Sequence, residues 1–468
     1  MRELPAKNKH ILHLLFITVL VLAPYLPALN AGFLAMDDVS TMKVIHSGSL
    51  SIHSLFFSQG NDYYRPLTIL SYLADFHLFG GNPAGYHLTN VLLHLANALL
   101  VYYLAAALLG RDQNSSFYPL ITALLFALHP INSEAVVWIS ARTDLLCCFF
   151  ALICMALLIK RSTTMTPIVF MGLFLSCLFS LAAKESSLFL PLLAIFHLIL
   201  ARKKVPRKNA IAVCSALVIA TIVYLLLRKG LPVTPPVAVE TTMPTGNHPL
   251  HYFIDGAAAL GFYLWKLLYP FPLNIAITEI PTNLCLIFFL LGFGSAAVIW
   301  KKVSPLRFPL AFLVVSLIPP LGVFFLSLAW TPYAERYLYI PSVALALCGG
   351  ILIHRCREKV PQLIAVICIA LLAIPTANRV NLWTKPIHFW QDAVVKSPRF
   401  GTARLPLVAA YLEAGRYAEA ERTLRQADAL GLPRKSARNF SHELWRLLKN
   451  RKALAPGNDT TSNESKST

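Results

Sequence analysis

Apolar residues in this chain fall in long blocks rather than in the short alternations of a soluble domain. Runs long enough to cross about 30 Å of hydrocarbon lie at Ile11–Leu29, Tyr86–Leu109, Phe117–Ile139, Asp144–Ile159, Pro167–Ala183, Leu188–Leu200, Ala210–Leu227, Leu284–Trp300, Phe308–Leu328, Tyr337–Ile353 and Pro361–Ala377. The pattern predicts an all-α, polytopic membrane bundle of about eleven spans. The first run lacks a small-residue cleavage site, so it reads as a span and not as a removable signal. A twelfth segment, Tyr252–Tyr269, is followed closely by Pro270, Pro272 and Pro281. It reads as an interfacial or re-entrant helix.

After Ala377 the pattern turns polar and helical, with a period of 34 residues. Trp383 aligns with Tyr417, Trp390 with Leu424 and Ala393 with Ala427, while Pro398 falls one short of Pro433. Small residues at a helix crossing and an aromatic at a turn are what a tetratricopeptide repeat needs. A generic helical hairpin is the alternative. The expected organisation is a membrane body at 1–377, a TPR-like helical tail at 378–450 and a disordered Ser/Thr/Asn-rich end at 451–468. Asn458 and Asn463 there open weak glycosylation sequons.

Composition agrees with a membrane protein: of 468 residues, 56% are hydrophobic and 13% charged, where soluble domains carry about 25% charged residues. The formal charge of +19 does not point to nucleic acid, because the bases collect in short turns between spans. Those turns hold Arg111, Lys160-Arg161, Arg202 to Lys208, Lys301-Lys302 with Arg307, and Arg355 to Lys359. With the basic N-terminus they belong on the cytoplasmic side. This puts the N-terminus inside and the C-terminus outside, provided Tyr252–Tyr269 does not cross. The loops 31–85, 129–143 and 229–250 then share the outer face. The nine cysteines form neither a disulfide framework nor a metal-binding spacing.

The unusual polar residues all fall on that outer side. Ionisable groups at membrane depth are costly and mark functional cavities by default. Asp37-Asp38 follows the first span and reads either as a base at a cavity mouth or as a helix cap. Arg65, after Tyr64, suits bidentate phosphate contact or interfacial snorkelling. His87, Asn90, His94 and Asn97 form one helical stripe reaching about 15 Å inward, either lining a cavity or joining helices. His129, Arg142 with Asp144, Lys184-Glu185 and Glu335-Arg336 close successive outer turns. Each of these reads as a local ion pair or as part of one convergent anion site.

Taken in order, Asp37-Asp38, Tyr64-Arg65-Pro66-Leu67, Gly85-Tyr86-His87-Leu88 with Asn90 and His94, His129-Pro130-Ile131, Arg142-Thr143-Asp144-Leu145-Leu146, Ala183-Lys184-Glu185 and Glu335-Arg336-Tyr337-Leu338 resemble the transmembrane and tetratricopeptide-repeat protein O-mannosyltransferases and their bacterial relatives. The likeness runs to about Leu432. It implies the C-type glycosyltransferase fold, a polyprenyl-phosphate sugar donor and a site facing the periplasm or lumen. The chain departs from the family's animal members in its tail, which holds about one and a half repeats instead of a long array.

The resulting expectation is a hexosyltransferase that moves a mannose-like sugar to an acceptor hydroxyl, on protein Ser/Thr or a cell-surface glycan, with inversion. Asp37 or Asp38 is the base. Arg65, Arg142, Lys184 and Arg336 bind the donor phosphate. Tyr64, His87, Asn90, His94, His129, Asp144, Glu185, Glu335 and Tyr337 line the cavity. No metal or other cofactor is required by this scheme, and the TPR tail guides the acceptor. The expected setting is a bacterial inner membrane, with the endoplasmic reticulum as the alternative. Competing readings are a transporter or flippase of a lipid-linked sugar and a non-catalytic assembly factor.

Overall fold

The computed structural model describes residues 6–34, 37–46, 64–109, 117–228, 249–326, 329–356, 359–432 and 434–454. Residues 47–63, most of the 229–250 loop, Arg111, Pro433 and residues 455–468 with the sequons lie outside them; residues 451–454, expected to be disordered, end the helix Lys435–Leu454. The regular structure of the described chain is helical, apart from an isolated antiparallel bridge between Ile277 and Tyr333. By contact it divides into two compact units, Met1–Lys385 and Pro386–Thr468.

Among the described residues of the first unit, eight helical segments are long and apolar enough to cross a bilayer. They are Asn8–Asn30, Pro83–Leu109, Ile139–Arg161, Arg207–Arg228, Thr282–Lys302, Ser304–Leu326, Glu335–Cys356 and Val360–Trp383. Pro167–Ala183 and Glu185–Leu200 are shorter apolar helices. The protein is thus a multi-pass, all-α membrane protein. Proline opens several helices (Pro66, Pro83, Pro167, Pro249), where its missing N–H costs nothing and its fixed φ suits the first turn.

The run read as one span at Phe117–Ile139 is broken. Helices Phe117–Ala127 and Pro130–Val137 meet at a 49° bend. His129 precedes Pro130 and takes an extended backbone (ψ 122), because the proline ring excludes the helical region for the residue before it. The Leu128 carbonyl, at the break, accepts a hydrogen bond from Thr376 Oγ1 at 2.8 Å. Tertiary contact thereby satisfies a group that the bend leaves outside the helix ladder.

Helix Pro249–Leu268 covers the twelfth apolar segment and is not among the eight spans. It packs so tightly on Thr282–Lys302 that a Cβ on Gly261 would collide with the Cys285 carbonyl. Small residues permit such crossings between membrane helices. The irregular stretch after it folds back: Leu273 and Ile277 pack with Tyr263, Leu267, Tyr333 and Leu338.

The mixed charges and the basic turns occupy opposite ends of the same helices. Helix Arg142–Arg161 begins beside Asp144 and ends at Lys160-Arg161. Lys184 and Glu185 precede helix Phe189–Leu200, which ends just before the basic run from Arg202. Glu335 and Arg336 precede helix Tyr339–Cys356, which ends at His354-Arg355.

The second unit holds helices Pro386–Lys396, Arg404–Glu413, Tyr417–Ala429 and Lys435–Leu454. Gly415 makes the tight turn between the second and third at φ +73, a conformation open to glycine without steric cost. The 34-residue period has a physical counterpart. Trp390 and Leu424 are both buried, as are Ala393 and Ala427. Asp428 ties the last helix on, accepting from Ser441 Oγ (2.7 Å) and Trp445 Nε1 (2.8 Å).

Candidate active site

The adjacent carboxylates Asp37 and Asp38 begin helix Asp37–His46, where the helix dipole favours negative charge. Their environments differ. Asp37 is exposed and Asp38 is buried. Asp38 Oδ2 accepts from the Leu34 amide (3.0 Å). Its Oδ1 accepts from the Ser140 amide (2.9 Å) and from the Ser140 hydroxyl. Burial pushes the Asp38 carboxyl up to about 6, helped by the charge of Asp37 and opposed by these hydrogen bonds. Asp38 is thus an anchor between the end of the first span and the turn before Arg142, while Asp37 faces outward.

Arg142 is fully buried. It pairs with Asp75 at 2.5 Å and donates Nε to Asn90 Oδ1 (2.7 Å). It also donates Nη2 to the Tyr86 carbonyl (2.8 Å) and Nη1 to the Ser71 carbonyl (3.3 Å). Its guanidinium lies over the Tyr72 ring at 4.6 Å. With every nitrogen engaged and no solvent access, Arg142 is placed as a scaffold holding three helices, not as a group presented to an anion. The expected Arg142–Asp144 pairing does not occur, because residues two apart in a helix point in different directions.

Asp144 is instead paired with Lys184, whose Nζ donates to both carboxylate oxygens at 2.6 and 2.7 Å. Glu185 turns away from its neighbour and takes Arg65 in a fork, Nε to Oε2 at 3.1 Å and Nη2 to Oε1 at 2.6 Å. Arg336 pairs with Glu134 at 2.5 Å. Its guanidinium lies 4.8 Å from the ring centroids of both Trp138 and Tyr337. Lys184 lies 5.3 Å from the same Tyr337 ring. Glu335 pairs with Lys266 (3.4 Å) and accepts from the Asn274 amide (2.8 Å). Lys266 also donates to the Pro270 and Pro272 carbonyls, pinning the irregular segment. Neither adjacent motif, Lys184-Glu185 or Glu335-Arg336, forms a local pair.

The paired charges nonetheless gather. Lys184 interacts electrostatically with both Arg65 and Arg336. Burial holds its ammonium below the usual range, against the pull of Asp144. The Tyr72 hydroxyl interacts with Asp37, Asp38, Arg65 and Arg142. The Tyr72 hydroxyl donates to the Ile139 carbonyl at 2.9 Å, next to the Ser140 that holds Asp38, so the carboxylate pair sits beside the helix that follows Arg65.

The stripe on helix Pro83–Leu109 joins helices. His94 bonds the Tyr339 hydroxyl through Nδ1 (2.7 Å) and the Ala127 carbonyl through Nε2 (3.0 Å). Asn97 donates to the Leu145 carbonyl (3.0 Å) and to Tyr339 (3.1 Å). Asn90 donates to the Val136 and Trp138 carbonyls, both at 3.2 Å. These side chains and His87 are buried, so Asn90 and His94 are interhelical ties, not exposed cavity wall. His129 belongs with them, donating Nε2 to the Leu267 carbonyl at 3.1 Å and accepting from the Ile131 amide. Tyr64 is buried against Tyr224, with ring centroids 5.8 Å apart. Glu335 is buried in its pair with Lys266. Asp144, Glu185 and Tyr337 contact the cations Lys184, Arg65 and Arg336.

Two residues central to this arrangement belong to no polar motif of the sequence. Glu134 lies inside the apolar run 117–139 and Lys266 inside Tyr252–Tyr269, where a charge is itself a signal. Among the described residues no cluster of three or more metal-ligating side chains occurs.

No family model matches the chain. A worm protein, protein O-mannosyl-transferase F38B6.6 of Caenorhabditis elegans, is 23% identical over 428 residues, covering 84% of this chain and 59% of that protein. Human protein O-mannosyl-transferase TMTC4 is 39% identical over 100 residues, covering 19% of this chain and 14% of that protein. Xenopus laevis protein O-mannosyl-transferase tmtc2 is 44% identical over 102 residues, covering 22% and 12%. The chain therefore spans about three-fifths of the worm protein's length and far less of the vertebrate ones. A solved structure, ArnT from Cupriavidus metallidurans bound to undecaprenyl phosphate, superimposes with a TM-score of 0.43 at 14% identity, covering 96% of this chain and 78% of that one. By sequence, the chain is similar to proteins named protein O-mannosyl-transferases.

Proposed function

We propose that the chain is a membrane glycosyltransferase that moves a sugar, mannose-like by kinship, from a polyprenyl-phosphate donor to an acceptor hydroxyl. The observation that carries this reading is the gathering of Arg65, Lys184 and Arg336 around Glu185, Asp144 and the Tyr337 ring, at the helix ends opposite the basic turns. Basic turns favour the cytoplasm, so the site belongs to the periplasmic or lumenal leaflet. A bacterial inner membrane is the proposed setting.

In this mechanism the lipid chain lies among the helices and its phosphate meets Arg65, Lys184 and Arg336. Arg142 is left out of that set because its side chain is wholly buried, whereas those of Arg65, Lys184 and Arg336 keep 20%, 11% and 10% exposure. Preorganised cations stabilise the charge that grows on the phosphate as the glycosidic bond breaks. The exposed Asp37 takes the proton from the acceptor hydroxyl, whose oxygen attacks the anomeric carbon opposite the leaving phosphate. The phosphate oxygen keeps the bonding electron pair, and the configuration inverts. Asp38, fixed by Ser140 and Leu34, positions the turn that presents Asp37. The acceptor is a protein Ser/Thr or a cell-surface glycan, with the Pro386–Leu454 helices as a TPR-like guide.

The test is direct. Purified protein receives labelled polyprenyl-phosphate mannose with an acceptor mixture from its own membrane. Release of polyprenyl phosphate together with label in the acceptor is expected. Movement of intact donor across a vesicle, without release, would replace this reading with transport.

A further inference from the structure

Five ion pairs among the described residues of the membrane unit are not equally shut off from solvent. In Arg142–Asp75, Lys266–Glu335, Arg336–Glu134 and Lys184–Asp144 no side chain is more than 11% exposed. Arg65–Glu185 stands apart at 20% and 29%. Its geometry is also distinctive, because the two carboxylate oxygens take the two guanidinium nitrogens in parallel. A phosphate group presents two oxygens to arginine in the same way.

The backbone around the pair is fixed while the carboxylate is not deeply enclosed. Thr68 Oγ1 donates to the Ala183 carbonyl at 3.2 Å, tying the turn that carries Glu185 to the helix that follows Arg65. Ser187, two residues on, is buried and bonds Ser180 and Cys147. Glu185 can therefore leave Arg65 by side-chain rotation alone.

Resting on the donor-site reading above, we propose that Glu185 is a placeholder. It fills the phosphate's bidentate seat on Arg65 while the site is empty, and it is displaced when a lipid monophosphate arrives. The same carboxylate then acts on release. Cleavage turns a phosphodiester with one negative charge into a phosphomonoester carrying up to two. The displaced Glu185 repels that added charge and reclaims Arg65 as the product departs.

The test measures binding of a fluorescent polyprenyl monophosphate to the full-length protein in nanodiscs. Glu185→Gln is expected to tighten binding about three- to tenfold. Arg65→Gln weakens it about tenfold or more. The double variant is no tighter than Arg65→Gln alone. Asp75→Asn removes a carboxylate of equal charge from the Arg142 pair, which lies outside the proposed phosphate set, and should not tighten binding. Glu185→Ser gives the same answer if the glutamine variant folds poorly. Binding by Glu185→Gln that is unchanged or weaker overturns the placeholder, as does equal tightening by Asp75→Asn. Absence of binding by the wild type, or equal binding by Arg65→Gln, brings down the donor-site reading and the placeholder with it.

Discussion

Glu134 holds Arg336 twice, through the guanidinium at 2.5 Å and through the backbone amide at 3.3 Å. The same carboxylate also accepts the Glu335 amide at 3.1 Å, so one acid on the bent helix sets both the charge and the chain direction of a distant turn. Glu134→Gln keeps the shape and removes the charge, leaving Arg336 buried without its counter-ion. We expect a loss of transferase turnover of about tenfold or more, with stability lowered by about 3–5 kcal/mol. Turnover and thermal unfolding measured together check this. A variant with wild-type turnover would separate Arg336 from the chemistry.

Asp38 predicts a pH signature. Its carboxyl is raised from 3.8 to about 6 by burial, so the folded state binds this proton more tightly than the unfolded state does. The resulting stabilisation is present in full below about pH 4 and is lost as pH rises through about 6. Thermal midpoints of the wild type should fall across that window relative to Asp38→Asn, whose profile lacks the step. Parallel profiles for the two proteins would remove Asp38 as the titrating group.

Asp37→Asn should abolish turnover without disturbing insertion or thermal stability, since the side chain is exposed. A general base contributes about a hundred- to ten-thousandfold. Initial rates across pH 5 to 9 check it. Retained activity would move the base elsewhere.

Arg142 separates scaffold from ligand. Arg142→Lys cannot reproduce five directed donors and is expected to lower the folded yield and destabilise by about 3–5 kcal/mol, with donor KM unchanged in whatever protein folds. A well-folded variant whose only defect is a raised donor KM would return Arg142 to the phosphate site.

Helix packing offers a structural check. A Cβ on Gly350 would strike the Thr122 side chain, whereas Gly294 has nothing within 4 Å. Gly350→Val should cost about 1–3 kcal/mol and Gly294→Val far less, read from thermal unfolding in detergent.

The helical class and the residues worth attention were legible because charge among apolar residues is expensive and therefore conspicuous. Asp38, Arg65, Lys184 and Arg336 stood out for that reason. Their partners were not legible. Adjacent residues in a turn project to different sides, so Lys184 and Glu185 reach Asp144 and Arg65, and Glu335 and Arg336 reach Lys266 and Glu134. Such long-range choices are made by tertiary packing, which leaves no periodic trace along the chain. The bend at His129-Pro130 was readable in principle from the rule for residues before proline. The apolar run that continues through it concealed the break, and with it Glu134.

The matched pairing of these acids and bases carries one more consequence. In the ligand-free protein Arg65, Lys184 and Arg336 each already face a carboxylate. Sulfate, chloride or free nucleotides gain little by entering, because each must undo an existing partnership with nothing to hold it afterwards. An amphiphile confined to the bilayer plane arrives at high local abundance and with its tail already accommodated. Discrimination between dissolved and membrane-borne anions then follows from internal neutrality, without any dedicated filter.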